Sequence, residues 1–472
     1  MLEISNAFQS LDLKSERPSG IESPESMAKS IRCPQTSYTT APVHTLPPEI
    51  TSMIFSFLQK RLPPSDARKL PVKLCHVSQY WRNVAFGGVA SFLWADIDFS
   101  PPWVMGKISM YLEGSGTWPF TLNCVWPEMF DVDSPEAKEV FSLIGAHLAR
   151  CRAFYSKGFL TSDLLNQTSA AIFDLFMNRE LPLLEAFSME RINTTSLVNF
   201  VSPVLTNLRL GRVCYISPDF HFASLTTIHL AIDMEYDEFI HIMKSCRRLV
   251  TLAVYDDLIT GWPDIDQDED TPFPAPVFLP ELRSIQIYGN MRSVSELLWS
   301  ISAPLFTDLV IAPVVANDLM SLGDFCKKGS TFPLLTTLTL APAHGYAFEV
   351  LPIAYKCFPK LEHLAFANIY AEPFQRFFCD ESEDLLWPHL KTFALRGLGP
   401  LAATPLEKMV SLRKGRGHPL EKLYLDETSL RVVADLDVEV ECRDVWGFYQ
   451  RDAFHQDEVD RFLGIDESRD GF

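Results

Sequence analysis

The chain has 472 residues, 47% of them hydrophobic and 21% charged. That length and composition fit a folded protein of several domains and exclude both a small disulfide-stapled module and a largely disordered chain. Forty-one Lys and Arg against sixty Asp and Glu leave a formal net charge of −19, which argues against a fold-wide electrostatic grip on nucleic acid or an anionic membrane.

Residues 1–43 are rich in Ser, Pro, Thr and charge, and their isolated apolar residues offer little to offset the entropy of ordering, so a mobile tail is expected there. No cationic start leading into an apolar core is present, and no apolar run approaches the ~20 residues of a membrane span. The ten cysteines are scattered singly, without a CxxC pair or zinc-like spacing. The expectation is an intracellular protein, cytoplasmic or nuclear, with reduced thiols, no membrane partner and no metal.

Residues 44–99 change character. Leu46-Pro47-Pro48-Glu49-Ile50 opens a helix: Pro suits a first turn, where its N–H would lack a partner, and Glu49 suits the positive end of the dipole. Ile50, Ile54 and Leu58 recur at four-residue steps as one apolar stripe, which Met53 and Phe57 widen. The run Leu62-Pro63-Pro64-Ser65-Asp66 interrupts, and a further helical stretch holds Leu74, Val77, Trp81, Val84 and Ala85. Three short helices make a marginal core alone, and an apolar surface left over from them would suit a partner helix.

From residue 100 to 442 one theme recurs, Leu-x-x-Leu-x-Leu with conservative replacements. Ten copies begin at Leu184, Leu205, Leu225, Leu249, Leu282, Phe306, Leu335, Leu361, Leu390 and Leu420. Their mean spacing of about 26 residues lies in the range of leucine-rich repeats. The last two apolar positions of each copy share one face of a strand, so each copy buries a single face against its neighbours. A stacked, irregular solenoid with a parallel sheet is expected. Pro182, Pro203, Pro280, Pro304, Pro333, Pro359 and Pro388 stand two residues before an anchor and are expected at the first position of each strand. Tyr236–Cys246 and Val294–Ile301 have helical spacing and supply return legs.

Residues alternating with the anchors face the other side of such a sheet. The central position gives Ser188, Arg209, His229, Ala253, Gln286, Val310, Thr339, Ala365, Ala394 and Tyr424, flanked by Tyr255, Tyr288, His363, Arg396 and Lys422. Arg209, His229, Tyr255, Gln286, Tyr288, His363, Arg396 and Tyr424 are the candidate contacts for an unknown target protein. A small-residue stretch from Thr339 to Ala394 leaves room for a ligand's side chains, or simply faces solvent or a packed terminus.

Other clusters read as structural. The acidic run Asp264 to Asp270 lacks the Gly and Glu of a calcium loop and reads as a solvated loop. Asp435, Asp437, Glu439 and Glu441 alternate with Leu436, Val438, Val440 and Cys442, as in a charged terminal strand that discourages edge pairing. Arg413-Lys414-Gly415-Arg416 reads as a solvated turn, and residues 443–472 as an acidic tail. No catalytic motif or cofactor fingerprint is present, so no cofactor is expected and the chain does not read as an enzyme.

The amino-terminal module resembles the F-box family. The matching residues are Leu46-Pro47-x-Glu49-Ile50, Ile54-Phe55, Leu58, and Leu74-x-x-Val77-Ser78-x-x-Trp81-Arg82-x-Val84-Ala85. Leu93-Trp94-x-x-Ile97 is similar to the form of many fungal members, leading into the first strand of the next domain. Gln59 to Lys73 is several residues longer than the common spacing. The repeats behind it are similar to those of F-box proteins with leucine-rich domains. The fold so implied is α/β, a three-helix F-box followed by an irregular leucine-rich-repeat-like solenoid. The resemblance implies a substrate-recognition subunit of an SCF-type ubiquitin ligase, docking a Skp-family adaptor and through it cullin and RING subunits. Leu46, Pro47, Ile50, Ile54, Leu58, Leu74, Val77 and Trp81 are the implied adaptor contacts, although several must also hold the bundle together and Trp81 suits either role. The alternative is a binding scaffold that uses the F-box without promoting ubiquitination.

Overall fold

Two prolines open the first described helix, α1 (Pro48–Arg61), with Pro48 in the turn where a missing N–H costs nothing and Glu49 beside it. The computed structural model describes residues 46–102, 104–126, 131, 133–158, 174–189, 197–211, 215–216, 220, 222–231, 234–255, 259–262, 274–288, 294–312, 332–340, 351–367, 375, 378–379, 385–433 and 436–442. The expected tails at 1–43 and 443–472, the acidic insert 264–270 and Asp435 lie outside them. The chain forms two compact units, Met1–Ala186 and Phe187–Phe472.

In the first unit, Leu62-Pro63 ends α1 and α2 (Pro64–Cys75) starts at once, again with a proline in its first turn. The interruption expected from sequence is thus confined to Leu62 and Pro63, whose backbone is extended, while Pro64, Ser65 and Asp66 already belong to α2, which takes up the extra length between Gln59 and Lys73. The stretch from Leu74 to Ala85 is not one helix. Ser78 caps α3 (Gln79–Phe86), its Oγ accepting from the Trp81 N–H at 3.2 Å, which leaves Val77 in the linking turn. A 3₁₀ segment, Gly88–Trp94, carries the fully buried Trp94, whose Nε1 donates to the Ala85 carbonyl at 2.7 Å. Its ring stacks on Phe86 at 4.6 Å and meets Tyr111 edge-on at 5.2 Å. The chain then enters β1 (Asp96–Asp98), as the Leu93-Trp94-x-x-Ile97 pattern led one to expect. Parallel strands β2 (Phe120–Trp126) and β3 (Cys151–Gly158) follow, with α4 (Met105–Gly114) and α5 (Pro135–Gly145) between successive strands.

The second unit is built on β4 (Ala186–Met189), β5 (Asn207–Gly211), β6 (Thr227–Ala231), β7 (Thr251–Tyr255), β8 (Ser284–Tyr288) and β9 (Asp308–Ala312). The series continues with β10 (Thr337–Leu340), β11 (His363–Ala367), β12 (Thr392–Arg396), β13 (Lys422–Leu425) and β14 (Glu439–Cys442), each beside the next. From β5 onward every neighbouring pair is parallel and in step, so Leu208, Ile228, Leu252, Ile285, Leu309, Leu338, Leu364, Phe393 and Leu423 form one ladder. All three apolar anchors of all ten repeats are buried. Each buried Leu or Ile contributes roughly 1.5–3 kcal/mol, and the repetition of that contribution sets the register.

The seven prolines do not begin the strands, which start four residues later. They stand at the second position of a turn closed by the first anchor: Leu205 N–H donates to Ser202 O, Phe306 N–H to Ala303 O at 3.2 Å and Leu335 N–H to Phe332 O at 3.1 Å. Proline's fixed φ suits that turn position. Between strands lie α6 (Tyr236–Ser245), α7 (Val294–Trp299), α8 (Leu351–Cys357), α9 (Ala403–Gly415) and α10 (Glu427–Leu430). Two-residue parallel pairs such as Met234–Glu235 with Ile259–Thr260 add minor ladders on the return legs. The fold is thus mixed α/β with an extensive parallel sheet, and among the described residues no helix is long and apolar enough to cross a membrane.

Two local expectations are corrected. Arg413 is not in a solvated turn but in α9, 1% exposed, donating to the carbonyls of Leu386, Trp387 and Leu390 at 3.1, 2.9 and 3.4 Å. Burial pushes its pKa down to about 10. Cys357 is disulfide-bonded, whereas the other six described cysteines are free thiols.

Candidate functional site

Helix α1 is turned the opposite way from what its apolar stripe suggests. The residues it buries are Thr51, Ser52 and Phe55. Their polar groups are satisfied locally: Ser52 Oγ donates to Val89 O at 2.8 Å, Thr51 Oγ1 lies 3.3 Å from Tyr80 Oη, and Tyr80 Oη donates to Leu46 O. Phe55 packs on Trp81 with ring centroids 5.0 Å apart. This inward face leaves Ile50, Met53, Ile54, Phe57 and Leu58 exposed, Met53 at 68% and Phe57 at 55%. Exposed Val77 (59%) adds a further apolar side chain from the turn before α3. An accessible apolar surface of this density is uncommon on a protein that works alone.

The eight implied adaptor contacts therefore separate. Pro47, Ile50, Ile54, Leu58 and Val77 are exposed and Leu46 is half-buried. Leu74, 3% exposed, is a core residue and not a contact. Trp81 is half-buried against Phe55, so it supports the bundle. Met53 and Phe57, read from sequence only as widening the stripe, are its most exposed members.

The second surface is the sheet face opposite the anchors. Cross-strand register places Arg209, His229, Ala253, Gln286, Val310, Thr339, Ala365, Ala394, Tyr424 and Glu441 in one row, as period two requires. Much of that row is covered rather than open. Arg209, His229, Tyr255 and Tyr288 are buried, and Ala253, Val310 and Thr339 are fully so. The cause is lateral: strands only ~4.8 Å apart let large side chains shield small neighbours. Tyr255 stacks on Tyr288 at 5.0 Å, His229 Nδ1 lies 3.1 Å from Tyr255 Oη, and the Arg209 guanidinium sits 5.7 Å from the Tyr255 ring centre. Tyr288 Oη donates to Gln286 Oε1 at 3.2 Å, and Gln286 Nε2 donates to Ser284 Oγ at 3.5 Å. Ser284 Oγ in turn donates to Asp308 Oδ2 at 2.7 Å. Four of the eight candidate target contacts are thus tied into a tier of stacked rings, while Gln286, His363, Arg396 and Tyr424 are half-buried.

Beyond that tier the small residues open a cleft of about 360 Å³, lined by Asp308, Thr337, Thr339, His363, Leu364, Ala365, Thr392, Ala394 and Tyr424. His363 Nδ1 lies 2.7 Å from Thr392 Oγ1, and burial, with Lys391 nearby, lowers the His363 pKa against the opposing pull of Glu362 and Glu421. Asp308, Thr337 and Thr392 were not among the candidates. They occupy the first position of their strands, two residues before the central row, so the same alternation assigns them to this face. Flanking cations are engaged: Lys391 Nζ lies 2.5 Å from Glu362, and Lys422 Nζ 2.7 and 2.8 Å from Glu439 and Glu441. The carboxylate ladder on β14 thus holds Lys422. Among the described residues no group of three or more His, Cys, Asp or Glu side chains could hold a metal ion.

No family model matches the chain, and no curated protein matches it either.

Proposed function

We propose that this chain is the substrate-recognition subunit of an SCF-type ubiquitin ligase, a non-catalytic receptor that works inside the cell. Helices α1–α3 would dock a Skp-family adaptor, and the repeat unit would hold a target protein near the loaded conjugating enzyme. The observation that carries this reading is the outward apolar face of α1: Ile50, Met53, Ile54, Phe57 and Leu58 exposed while hydroxyl-bearing Thr51 and Ser52 point inward. A helix that offers its apolar side to solvent gains most when a partner covers it. On this reading the chain contributes proximity, raising the effective concentration of a target lysine rather than breaking a bond itself.

The test is co-expression of the full chain with a Skp-family adaptor. Capture is expected with the wild type and is expected to fall at least about 100-fold for Ile54→Glu paired with Phe57→Ala, both central to the patch. Absence of adaptor binding at micromolar concentrations overturns the proposal. Adaptor capture without cullin or ubiquitinated proteins in the co-purified material would favour the scaffold alternative.

A further inference from the structure

Arg61 ends the exposed face of α1. It stands seven residues beyond Ile54 and four beyond Phe57, and so continues the same stripe of the helix. Its guanidinium carbon lies 4.2 Å from the centre of the Phe57 ring, a cation–π contact that holds a long side chain against an exposed aromatic one. Among the described residues Arg61 makes no ion pair and gives no N–H to an oxygen. The ring takes the cation through its π face, so the fork of N–H donors remains for a planar acceptor. The surroundings are also of one sign. Residues 46–95 hold six Lys and Arg against two Asp and Glu, in a chain whose formal net charge is −19. Of the two acids, Asp66 lies 3.7 Å from Lys73, and Glu49 stands at the opposite end of α1 from Arg61.

Resting on the adaptor-docking reading, we infer that Arg61 is a binding residue of this face and that the partner brings an Asp or Glu carboxylate beside the apolar side chains that cover Phe57. Desolvation selects that occupant. A partner that covers the Phe57 ring also removes water from the cation lying on it, and a purely apolar cover leaves that cost uncompensated. A carboxylate offsets it with a charge-assisted, bidentate pair that strengthens as water leaves. A basic partner would meet Arg61, Lys60 and the positive excess of residues 46–95 together. A cation in the last turn also suits the helix dipole, but Lys60 meets that need, and the dipole calls for no guanidinium over a ring.

The probe is a purified Skp-family adaptor, titrated against the full chain at ionic strengths of about 0.05 and about 0.5 M, which bracket the range where surface charges become screened. At the lower salt Arg61→Gln is expected to bind about ten-fold more weakly than the wild type, the scale of one charge-assisted hydrogen bond. It is also expected to respond less to salt, a readout that a merely structural role would not move. Arg61→Leu, which extends the apolar face, is expected to weaken binding as Arg61→Gln does. Lys244→Gln removes the same charge from an exposed position on α6 of the second unit and is expected to stay within about two-fold of the wild type. Wild-type affinity or salt response in Arg61→Gln, tighter binding of Arg61→Leu, or an equal loss in Lys244→Gln overturns the inference and leaves the adaptor reading standing. No capture by the wild type removes the adaptor reading, and the carboxylate partner with it.

Discussion

Helix α1 and the repeat strands handle the same kind of residue in opposite ways. In the repeats, all three apolar anchors of every copy point into the core, and the sheet spacing then covers much of the opposite row as well. In α1 the aliphatic side chains point outward and two hydroxyl residues plus Phe55 point inward. The difference teaches that periodicity locates a stripe without saying which way it faces. A strand in a stack has neighbours that need its apolar face. A short helix has only as many inward positions as its bundle can fill.

The contrast is broken most severely in the repeats. Leu338→Asp would put a carboxylate at a fully enclosed anchor between Leu309 and Leu364, and a cost of roughly 4 kcal/mol or more is expected, read by urea denaturation. Thr339→Asp is the sharper probe. Alternation puts Thr339 on the far face, where a charge on an open sheet would cost roughly 0.5 kcal/mol or less. Thr339 is 0% exposed, so a loss of roughly 2 kcal/mol is expected instead. A near-neutral Thr339→Asp would mean that the row is open after all.

The first unit offers a smaller break. A methyl group added at Gly114 would stand 2.6 Å from the Trp94 ring, which is clamped by its bond to Ala85 O and by Phe86 and Tyr111. With no room to yield, Gly114→Ala is expected to cost roughly 1–3 kcal/mol, measured as a fall in the urea midpoint. Ile54→Glu should do almost nothing to stability, roughly 0.5 kcal/mol at most, because its side chain already faces solvent. A large loss there would show that the α1 face is structural.

What was legible in the sequence follows from which physics is local. The anchors could be read because strand alternation and a common register are short-range rules repeated ten times. The start of α1 could be read because Pro48 and Glu49 act within one turn. The division at Ser78 was missed although Ser78 is a good cap, because Val77 and Trp81 also fit a continuous stripe. The proline rule was misplaced by four residues. Pro satisfies a turn as well as a strand start, and only the hydrogen bond to the first anchor decides between them. Burial of Tyr255, Tyr288 and Arg413 depends on neighbours 23 or more residues away, and the composition of their own segments carries no trace of it. Asp308 and Thr392 hold the same first position of their strands as His363 and Lys422, which the flanking set includes, and nothing in their own segments separates them from the first residues that do not line the cleft.

The smallest expected effect is a pH dependence of the second unit. His363 is held by Thr392 in the cleft, and its pKa is lowered first by burial and then by Lys391, while Glu362 and Glu421 pull it back up. The unfolded chain takes up a proton near the ordinary histidine value of about 6.5, which the folded chain resists. Stability at this site is therefore complete above that value and is lost progressively as the pH falls from it toward the lowered folded pKa. Asp426, whose bonds from Ser429, Thr428 and Gly397 outweigh its burial and lower its pKa, acts in a separate window. Its contribution holds above the ordinary carboxylate range and disappears as the pH falls through the folded value. Urea denaturation at pH 7 and pH 5.5 should show a modest loss on acidification for the wild type and a smaller one for His363→Gln, which removes the titrating ring. Equal losses in the two proteins would assign the effect to other histidines, of which His147, lowered by burial and by Arg150 in the first unit, is the next to replace.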